Sequence, residues 1–244
     1  MCALRSDRTE PGERPSAERT LIHLVRHGKV HNPDGILYGR LPGYRLAASG
    51  RAMAAGVAHQ LVSIDHADIA YLAASPLERA QQTAEPLAEL TGLPVATDTR
   101  LTEAANSFQG RAFTPRSVAD PAVWPKLRNP IRPSWGEPYL DIAHRMLGAV
   151  YAAAQAARGR EAVLVSHQLP IWTIRAFLAG NRLWHNPNNR QCAVCSVTTL
   201  IFEDDIFAAV RYREPVAHIP AVDDPVQPVT NGRPGSQLTD RTHA

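Results

Sequence analysis

The chain has 244 residues and a mass of 26.6 kDa, and 44% of its residues are hydrophobic and 20% charged. This size and composition predict one globular domain, or at most two small ones, and exclude collagen-like, coiled-coil and wholly disordered chains. No run reaches the roughly 18 uninterrupted apolar residues that a membrane-spanning helix needs, and residues 1–20 lack the apolar stretch of a secretory signal. We therefore expect a soluble, cytoplasmic protein without a membrane partner.

The charge balance and the cysteines exclude two further classes of protein. Basic residues exceed acidic ones only slightly, 26 against 23, and no dense Lys/Arg tract accompanies the excess, which argues against a nucleic-acid partner. Cys2, Cys192 and Cys195 are too few for a disulfide framework, and the single C-x-x-C lacks a second ligand pair at zinc-site spacing. We interpret Cys192 and Cys195 as a half-buried pair on a strand, not as a metal or redox motif.

The two ends of the chain differ in composition from the part between them. Residues 1–19 and 215–244 are rich in Pro, Arg, Asp and Thr without hydrophobic periodicity, which predicts mobile tails around a domain of residues 20–214. Short apolar runs alternate with helical patterns inside that domain. The predicted strands are residues 21–25, 69–74, 94–97, 162–166, 194–202 and 206–212. The predicted helices are residues 47–62, a segment from Pro76 onward, 137–158 and 169–179.

Strands that alternate with helices predict an α/β fold, a three-layer sandwich whose mainly parallel central sheet is flanked by helices on both faces. Two local signals refine this expectation. Pro86 should bend or split the second helix, and Ser134 with Glu137 three residues later predicts a capping box at the start of the third. Ligands bind at the carboxyl ends of strands in such sheets, so the residues that follow each strand are the candidate site.

Three predicted strands end in residues that can bind an anion. Arg26, His27 and Gly28 follow the first strand, Ser75 to Arg79 follow the second, and His167 follows the fourth. Taken alone, a histidine at a strand end is more often structural than catalytic. Two imidazoles and two guanidinium groups at one sheet edge instead favour a site for a phosphoryl group, whose oxygens accept hydrogen bonds from both.

These segments resemble the histidine phosphatase superfamily, also called the phosphoglycerate mutase-like family. The similarity spans about residues 21–213 and rests on L-V-R-H-G at 24–28, S-P-L-E-R-A-Q-Q-T-A at 75–84, L-T-E at 101–103, G-E-P-Y-L-D-I-A-H-R-M at 136–146 and V-L-V-S-H at 163–167. The resemblance implies that His27 is the phosphorylated nucleophile of a catalytic domain at residues 20–214. It also implies that Glu103 is the proton donor and that the phosphoryl group is held by Arg26, Arg79 and His167.

The chemistry of phosphoryl transfer accounts for these residue types. Negative charge spreads over the outer oxygens of the transferred group, so catalysis is mainly positioning and electrostatic stabilisation. Cationic neighbours such as Arg26 and Arg79 disfavour protonation of His27, which predicts a neutral nucleophile. A carboxyl held in its acid form, assigned to Glu103, can protonate the leaving alkoxide and then deprotonate the attacking water. This chemistry requires neither a metal nor a cofactor, and the sequence shows no metal-ligand pattern.

Several residues depart from the family pattern. Lys29 stands where the family commonly has an acidic or small residue, and Gln168 stands where it commonly has glycine. Asn32 and Arg40 each come one place early in the chain. We assign both residues, together with Gly28, to substrate binding. Arg40 is expected to contact the groups of the substrate that are distal to the phosphate.

Residues 106–136 form an insertion with five basic residues against one acid, or a charge of +4, among which aromatic residues are interspersed. The basic residues are Arg111, Arg116, Lys126, Arg128 and Arg132, and the aromatic ones are Phe108, Phe113, Trp124 and Trp135. Two interpretations stay open. The insertion is either a lid or rim that reads the non-phosphate part of an anionic substrate, or a loop packed on the surface with solvated arginines.

The sequence therefore predicts a metal-independent phosphatase of the histidine acid or broad-specificity type, acting on a small anionic phosphomonoester through phosphohistidine. A phosphoglycerate-type mutase is the first alternative, although the segment after Glu103 does not resemble the substrate-enclosing signature of those mutases. A catalytically silent phospholigand-binding protein is the second, motivated by Lys29 and Gln168. It is disfavoured because binding alone needs neither a nucleophile nor an acid. The substrate and the oligomeric state stay open.

Overall fold

The computed structural model of the protein describes residues 18–112 and 134–221, which build a mixed six-stranded sheet. The strands are β1 (Arg19–Arg26), β2 (Ile69–Ala74), β3 (Ala96–Thr97), β4 (Glu161–Ser166), β5 (Val197–Glu203) and β6 (Ile206–Arg213). Their order across the sheet is β3-β2-β4-β1-β5-β6. The first four strands in this order pair in parallel, and the β5-β6 hairpin adds an antiparallel edge beside β1. The predicted mainly parallel sheet is confirmed.

Two pairs of helices cover the two faces of this sheet. They are α1 (Ala48–His59), α2 (Glu78–Thr91), α3 (Tyr139–Ala156) and α4 (Gln168–Leu178). α1 and α2 pack on the face to which Val25 and Val165 point, and α3 and α4 pack on the face of Leu24 and Leu164. Successive strand residues point to opposite faces, so a strand covered on both sides is a continuous apolar run. The predicted three-layer α/β sandwich is confirmed.

The parallel pairing brings the carboxyl ends of three strands to the same level. Arg26 at the end of β1 lies opposite Ser166 at the end of β4, and Ala74 at the end of β2 lies opposite Val165. The residues that follow these strands therefore share one edge of the sheet. This edge is where the candidate site lies.

The structure bears on two local predictions about the helices. Pro86 does not split α2, because the helix runs through it to Thr91 and is closed by Gly92 in the left-handed conformation with φ of 70°. The predicted capping box does not form either. α3 begins at Tyr139 after Pro138, which provides no side-chain cap, and the Glu137 carboxylate instead pairs with Arg145 and Arg40. Ion pairs with distant parts of the chain thus replace the local hydrogen bonds that the spacing favours.

The cysteine pair was also placed wrongly, since β5 begins only at Val197. Cys195 lies in the preceding turn with φ of 52°, and both Cys192 and Cys195 are buried free thiols. Cys192 packs with the α3–α4 layer and Cys195 with the α1–α2 layer, so the two thiols serve opposite faces of the sheet. Burial raises the pKa of Cys195 to about 12, which makes it an unreactive core residue.

The packed part of the chain extends beyond the predicted boundary at residue 214. Val216 is 3% exposed and packs in the same cluster as Val57 of α1. Residues 1–17 and 222–244, which make up most of the two predicted tails, lie outside the described residues. Within the described ranges, no helix combines the length and the apolar character needed to cross a bilayer.

Candidate active site

Backbone hydrogen bonds align the residues that follow β1, β2 and β4. The His27 N–H donates to the Ser166 carbonyl at 3.0 Å, and the Ser75 N–H donates to the Val165 carbonyl at 3.0 Å. This alignment brings the imidazoles of His27 and His167 together, with ring centroids 5.1 Å apart. Both rings are buried, at 2% and 0% exposure.

The position of Gly28 fixes which nitrogen of His27 can react. Nδ1 of His27 lies 2.8 Å from the Gly28 carbonyl oxygen. A carbonyl only accepts, so Nδ1 carries the proton and Nε2 keeps its lone pair. Position 28 also requires glycine, because a Cβ there would lie 2.5 Å from the Gly50 carbonyl oxygen at the start of α1. The R-H-G segment thus leaves the lone pair of Nε2 free to act on a ligand.

The surroundings of His27 keep its imidazole neutral. Burial lowers the pKa of His27 well below its usual value of 6.5, and the positive charges of Arg79 and Arg26 lower it further. The hydrogen bond to the Gly28 carbonyl acts in the opposite direction but is the smallest of these influences. His27 is therefore unprotonated at neutral pH, the state that an attacking nitrogen requires.

His167 offers a hydrogen-bond donor beside that nucleophile. Its Nε2 lies 2.8 Å from the Ser75 hydroxyl, whose oxygen also accepts the Leu77 N–H. In the tautomer whose Nε2 accepts the hydroxyl proton, the ring carries its own proton on Nδ1. That buried Nδ1 has no hydrogen-bond partner in the described structure. Burial and the neighbouring His27 lower the pKa of His167, so the ring donates as a neutral imidazole.

Arg26 and Arg79 supply two more buried donors. Arg26 donates through Nη1 to the Cys192 carbonyl, and Arg79 donates through Nη2 to the Gly39 carbonyl at 2.7 Å. The Nε atom of each is buried without a partner among the described residues. Such orphaned donors are costly in a fold, so a group of them around one imidazole indicates a site built for an acceptor.

Glu103 lies in the loop after β3, where its carboxyl is buried near several arginines. Burial raises the pKa of its carboxyl, against the opposing influences of the Ala104 N–H and the Arg79, Arg26 and Arg190 charges. Oε1 accepts the Ala104 N–H at 2.8 Å. The raised pKa enlarges the protonated fraction at neutral pH, as a general acid needs.

Comparison with known families identifies the chain. The sequence model of the histidine phosphatase superfamily (branch 1) matches residues 22–215. The chain belongs to the histidine phosphatase superfamily. Its resemblance to this family is thereby confirmed, and the family indicates phosphatase activity in general.

Relatives and solved structures agree with this assignment. An uncharacterised Mycobacterium tuberculosis protein, Rv0525, is 54% identical over 202 residues, which cover 82% of this chain and 98% of the relative. Bacillus stearothermophilus YhfR has the same fold, with a TM-score of 0.67 at 24% identity, covering 78% of this chain and 94% of its own. The mycobacterial glucosyl-3-phosphoglycerate phosphatase Rv2419c has a TM-score of 0.61 at 28% identity, covering 81% and 96%.

A cavity of about 260 Å³ opens beside His27 in this histidine phosphatase. His27, Arg26, Glu103 and Arg190 contribute to its wall, together with apolar and aromatic surface from Leu37, Tyr38, Trp135, Tyr139 and Leu169. Arg79 and His167 do not line this cavity. They lie beneath it, where the Tyr38 ring sits 4.8 Å from the Arg79 guanidinium carbon.

Three residues assigned to substrate binding are used otherwise in the structure. Both polar groups of the Asn32 amide bond the backbone of Ile36 and hold a turn. Arg40 holds the Glu103 loop instead, because it donates to the Glu103 carbonyl at 2.6 Å and pairs with Glu137 at 2.9 Å. The Gly28 carbonyl orients His27, and its N–H donates to the Thr83 hydroxyl at 3.1 Å.

The residues that depart from the family pattern lie at different places relative to the cavity. Gln168 lines the cavity at the start of α4, whereas Lys29 does not line it. Residues 113–133, the greater part of the insertion with Arg116, Lys126, Arg128 and Arg132, lie outside the described residues. Trp135, at the end of the insertion, is on the cavity wall.

Sequence reasoning missed Arg190, Ser75 and Thr83. Arg190 lies in a loop between α4 and β5 where no motif or periodicity marks it. Ser75 follows the end of a strand, and its sequence position does not reveal that its hydroxyl contacts His167. Thr83 lies one helical turn after Arg79 on the buried face of α2, and this spacing could have indicated a support for that residue.

Proposed function

We propose that the protein is a phosphatase that hydrolyses a small phosphomonoester through a phosphohistidine on His27, with Glu103 as the proton donor. One observation carries this proposal. Around the lone pair on Nε2 of His27 lie residues with three buried nitrogens that have no partner in the described structure, Nε of Arg26, Nε of Arg79 and Nδ1 of His167, and we assign the His167 ring proton to Nδ1. Three donors match the three outer oxygens of a phosphoryl group in transfer.

The first half-reaction uses the neutral states of both His27 and Glu103. Nε2 of His27 attacks phosphorus, a P–N bond forms and the ester P–O bond breaks. The proton of the Glu103 carboxyl goes to the departing oxygen, so an alcohol leaves. Arg26, Arg79 and the His167 N–H stabilise the charge that grows on the outer oxygens.

The second half-reaction returns the protein to its starting state. Water attacks phosphorus and gives a proton to the Glu103 carboxylate. The P–N bond breaks, which releases inorganic phosphate and leaves His27 neutral and Glu103 protonated. Atoms and charges balance without a metal or a redox partner. The described residues contain no group of three or more His, Cys, Asp or Glu side chains that could hold a metal ion.

The substrate class is proposed from the cavity and the family. A cavity of about 260 Å³ admits a small metabolite, and its wall combines arginines with aromatic and apolar side chains. The mycobacterial protein Rv2419c, at 28% identity, is named a glucosyl-3-phosphoglycerate phosphatase. A broad-specificity phosphatase acting on small phosphorylated metabolites is therefore our proposal for this chain.

Trapping of the intermediate tests the proposal. Wild-type protein mixed with a ³²P-labelled phosphomonoester and quenched in base within milliseconds should carry label that is lost in acid, the behaviour of phosphohistidine. His27→Ala should carry none and should not turn over any member of a panel of about one hundred phosphorylated metabolites. Turnover by His27→Ala equal to that of the wild type would refute the assignment.

A further inference from the structure

Arg190 brings a second cation to the cavity, away from the group around His27. It follows a short 3-10 turn, Pro187–Asn189, and is half-buried in the cavity wall with Arg26 and Glu103. Its charge lowers the pKa of Glu103, so the two groups lie within electrostatic reach of each other. No carboxylate of residues 18–112 or 134–221 forms an ion pair with Arg190.

The imidazole of His185 holds the guanidinium of Arg190 in place by a hydrogen bond. Nδ1 of His185 donates to the Leu183 carbonyl at 2.7 Å, which leaves Nε2 as an acceptor, and Nε of Arg190 donates to it at 2.6 Å. The His185 ring packs against Trp172 in a tilted arrangement, with ring centroids 3.5 Å apart, and its centroid lies 5.6 Å from that of the Tyr139 ring. Because Nε is committed to this contact, the edge formed by Nη1 and Nη2 is the one available to a ligand.

The acidic residues of the cavity do not compensate this charge. Glu137 is shared by Arg40 and Arg145, at 2.9 and 2.7 Å. The carboxyl of Glu103 is shifted toward its uncharged form by burial. Among the charged residues of the cavity wall, Arg190 is therefore a cation to which no carboxylate of the described residues is paired.

We propose that Arg190 determines specificity by binding a carboxylate in the non-phosphate part of the substrate, an inference that rests on the proposed phosphatase function. The single open edge of a fixed guanidinium matches the two oxygens of one planar carboxylate. A second phosphate dianion would call for more than one cation. The preferred substrates are thus small phosphomonoesters that also carry a carboxylate, and His185 is a positioning residue that acts through Arg190.

Matched substrate pairs test this assignment. 3-Phosphoglycerate and glycerol 3-phosphate differ only in a carboxylate replaced by a hydroxymethyl group, and 6-phosphogluconate and glucitol 6-phosphate form a longer pair. We expect the wild type to prefer the carboxylate member of at least one pair. Arg190→Gln should raise KM for that member by about 10- to 100-fold, as expected for loss of a hydrogen bond to a charged group, and should leave KM for its neutral partner unchanged.

Three further variants and one further substrate complete the test. Arg182→Gln, an exposed arginine in the same loop, should behave as the wild type. His185→Phe keeps a ring against Trp172 but removes the acceptor for Arg190, so KM should rise for the carboxylate member while kcat holds. In His185→Gln the amide oxygen can accept the hydrogen bond from Arg190, so KM for the carboxylate member should return toward the wild-type value. Glycerol 1,3-bisphosphate, which carries a second phosphate in place of the carboxylate, is the further substrate. If Arg190→Gln raises KM more for this compound than for 3-phosphoglycerate, the carboxylate assignment is wrong.

The failure of this inference differs from failure of the phosphatase proposal. If Arg190→Gln weakens both members of a pair equally, Arg190 acts on the transferred phosphate or through Glu103, and the specificity role is wrong. The specificity role is also wrong if the wild type shows no preference for the carboxylate member in either pair. Both outcomes leave the phosphohistidine label on His27 intact, whereas failure of the phosphatase proposal removes that label.

Discussion

Replacing Glu103 by Gln tests the proton donor while preserving the shape of the cavity wall. Oε1 of Glu103 accepts the Ala104 N–H at 2.8 Å, and the amide oxygen of glutamine can accept the same bond. The amide cannot release a proton to a leaving oxygen. General acid catalysis contributes about 10²- to 10⁴-fold to a rate, so kcat/KM for an alkyl phosphate should fall by about that factor.

The leaving group separates proton donation from every other role of Glu103. An alkoxide must be protonated as it leaves, whereas p-nitrophenolate leaves unassisted. The value of kcat/KM reports steps up to formation of phosphohistidine, so it isolates this half-reaction from the later attack of water. Glu103→Gln should therefore retain most of its kcat/KM on p-nitrophenyl phosphate while losing it on glycerol 3-phosphate.

Steady-state assays of both substrates across pH supply the measurement. The alkaline decline of kcat/KM for the alkyl ester, which reports deprotonation of Glu103, should disappear in the variant. Glu89→Gln, an exposed acid on α2, provides a control for the loss of one negative charge. Equal losses on the alkyl and the aryl ester would refute the role of Glu103 as proton donor.

Three further predictions concern the stability of the folded protein. Thr83→Val removes the hydroxyl that accepts the Gly28 N–H and donates to the Arg79 carbonyl, so unfolding in urea should show about 1–3 kcal/mol less stability. Inorganic phosphate should raise Tm by about 5–10 °C at one hundred times its Kd, measured by calorimetry. The pKa values of His27 and His167 are lower in the folded protein than in the unfolded chain. As the pH falls, these two histidines therefore take up protons in the unfolded chain before they do so in the folded protein. Stability should therefore fall below pH 6.5, by about 1.4 kcal/mol per pH unit for each histidine.

Each of these predictions has its own control. Thr83→Ser keeps the hydroxyl and should lose less stability than Thr83→Val. The Tm shift with phosphate should shrink in His167→Ala, and an equal shift there would exclude His167 as a ligand. The raised pKa of Glu103 opposes the histidines above pH 4.5, so the pH series is compared with His27→Gln, whose slope should be shallower. An identical slope would contradict a buried neutral His27.

The position of the candidate site at one edge of the sheet was predictable because local sequence patterns determine it. Val25 and Val165 end short apolar runs, and parallel strands place whatever follows them at one edge, so His27 and His167 could be paired from the sequence. The tautomer of His27 was not predictable. It depends on a carbonyl whose position is set by the close approach of Gly28 to Gly50, a contact between parts of the chain that sequence spacing does not reveal.

The residues that the sequence failed to place depend on contacts across long separations. Glu137 matches a capping box by spacing, yet Arg40 comes from a loop nearly one hundred positions away to bind it. Arg190 enters the cavity because His185 is held by Trp172 from α4. Such arrangements follow from tertiary packing, which overrides local preference and leaves no periodic signal.

Burial of the site serves two opposite chemical needs at once. Loss of water disfavours the charged form of any group, so it lowers the pKa of the base His27 and raises the pKa of the acid Glu103. The arginines reinforce burial at His27, whereas at Glu103 they oppose it. The protonation state of Glu103 is therefore a balance between burial and nearby charge, while that of His27 is not. Changes in the charge of the cavity wall should consequently act on the alkaline side of the pH profile, through Glu103, before they affect the nucleophile.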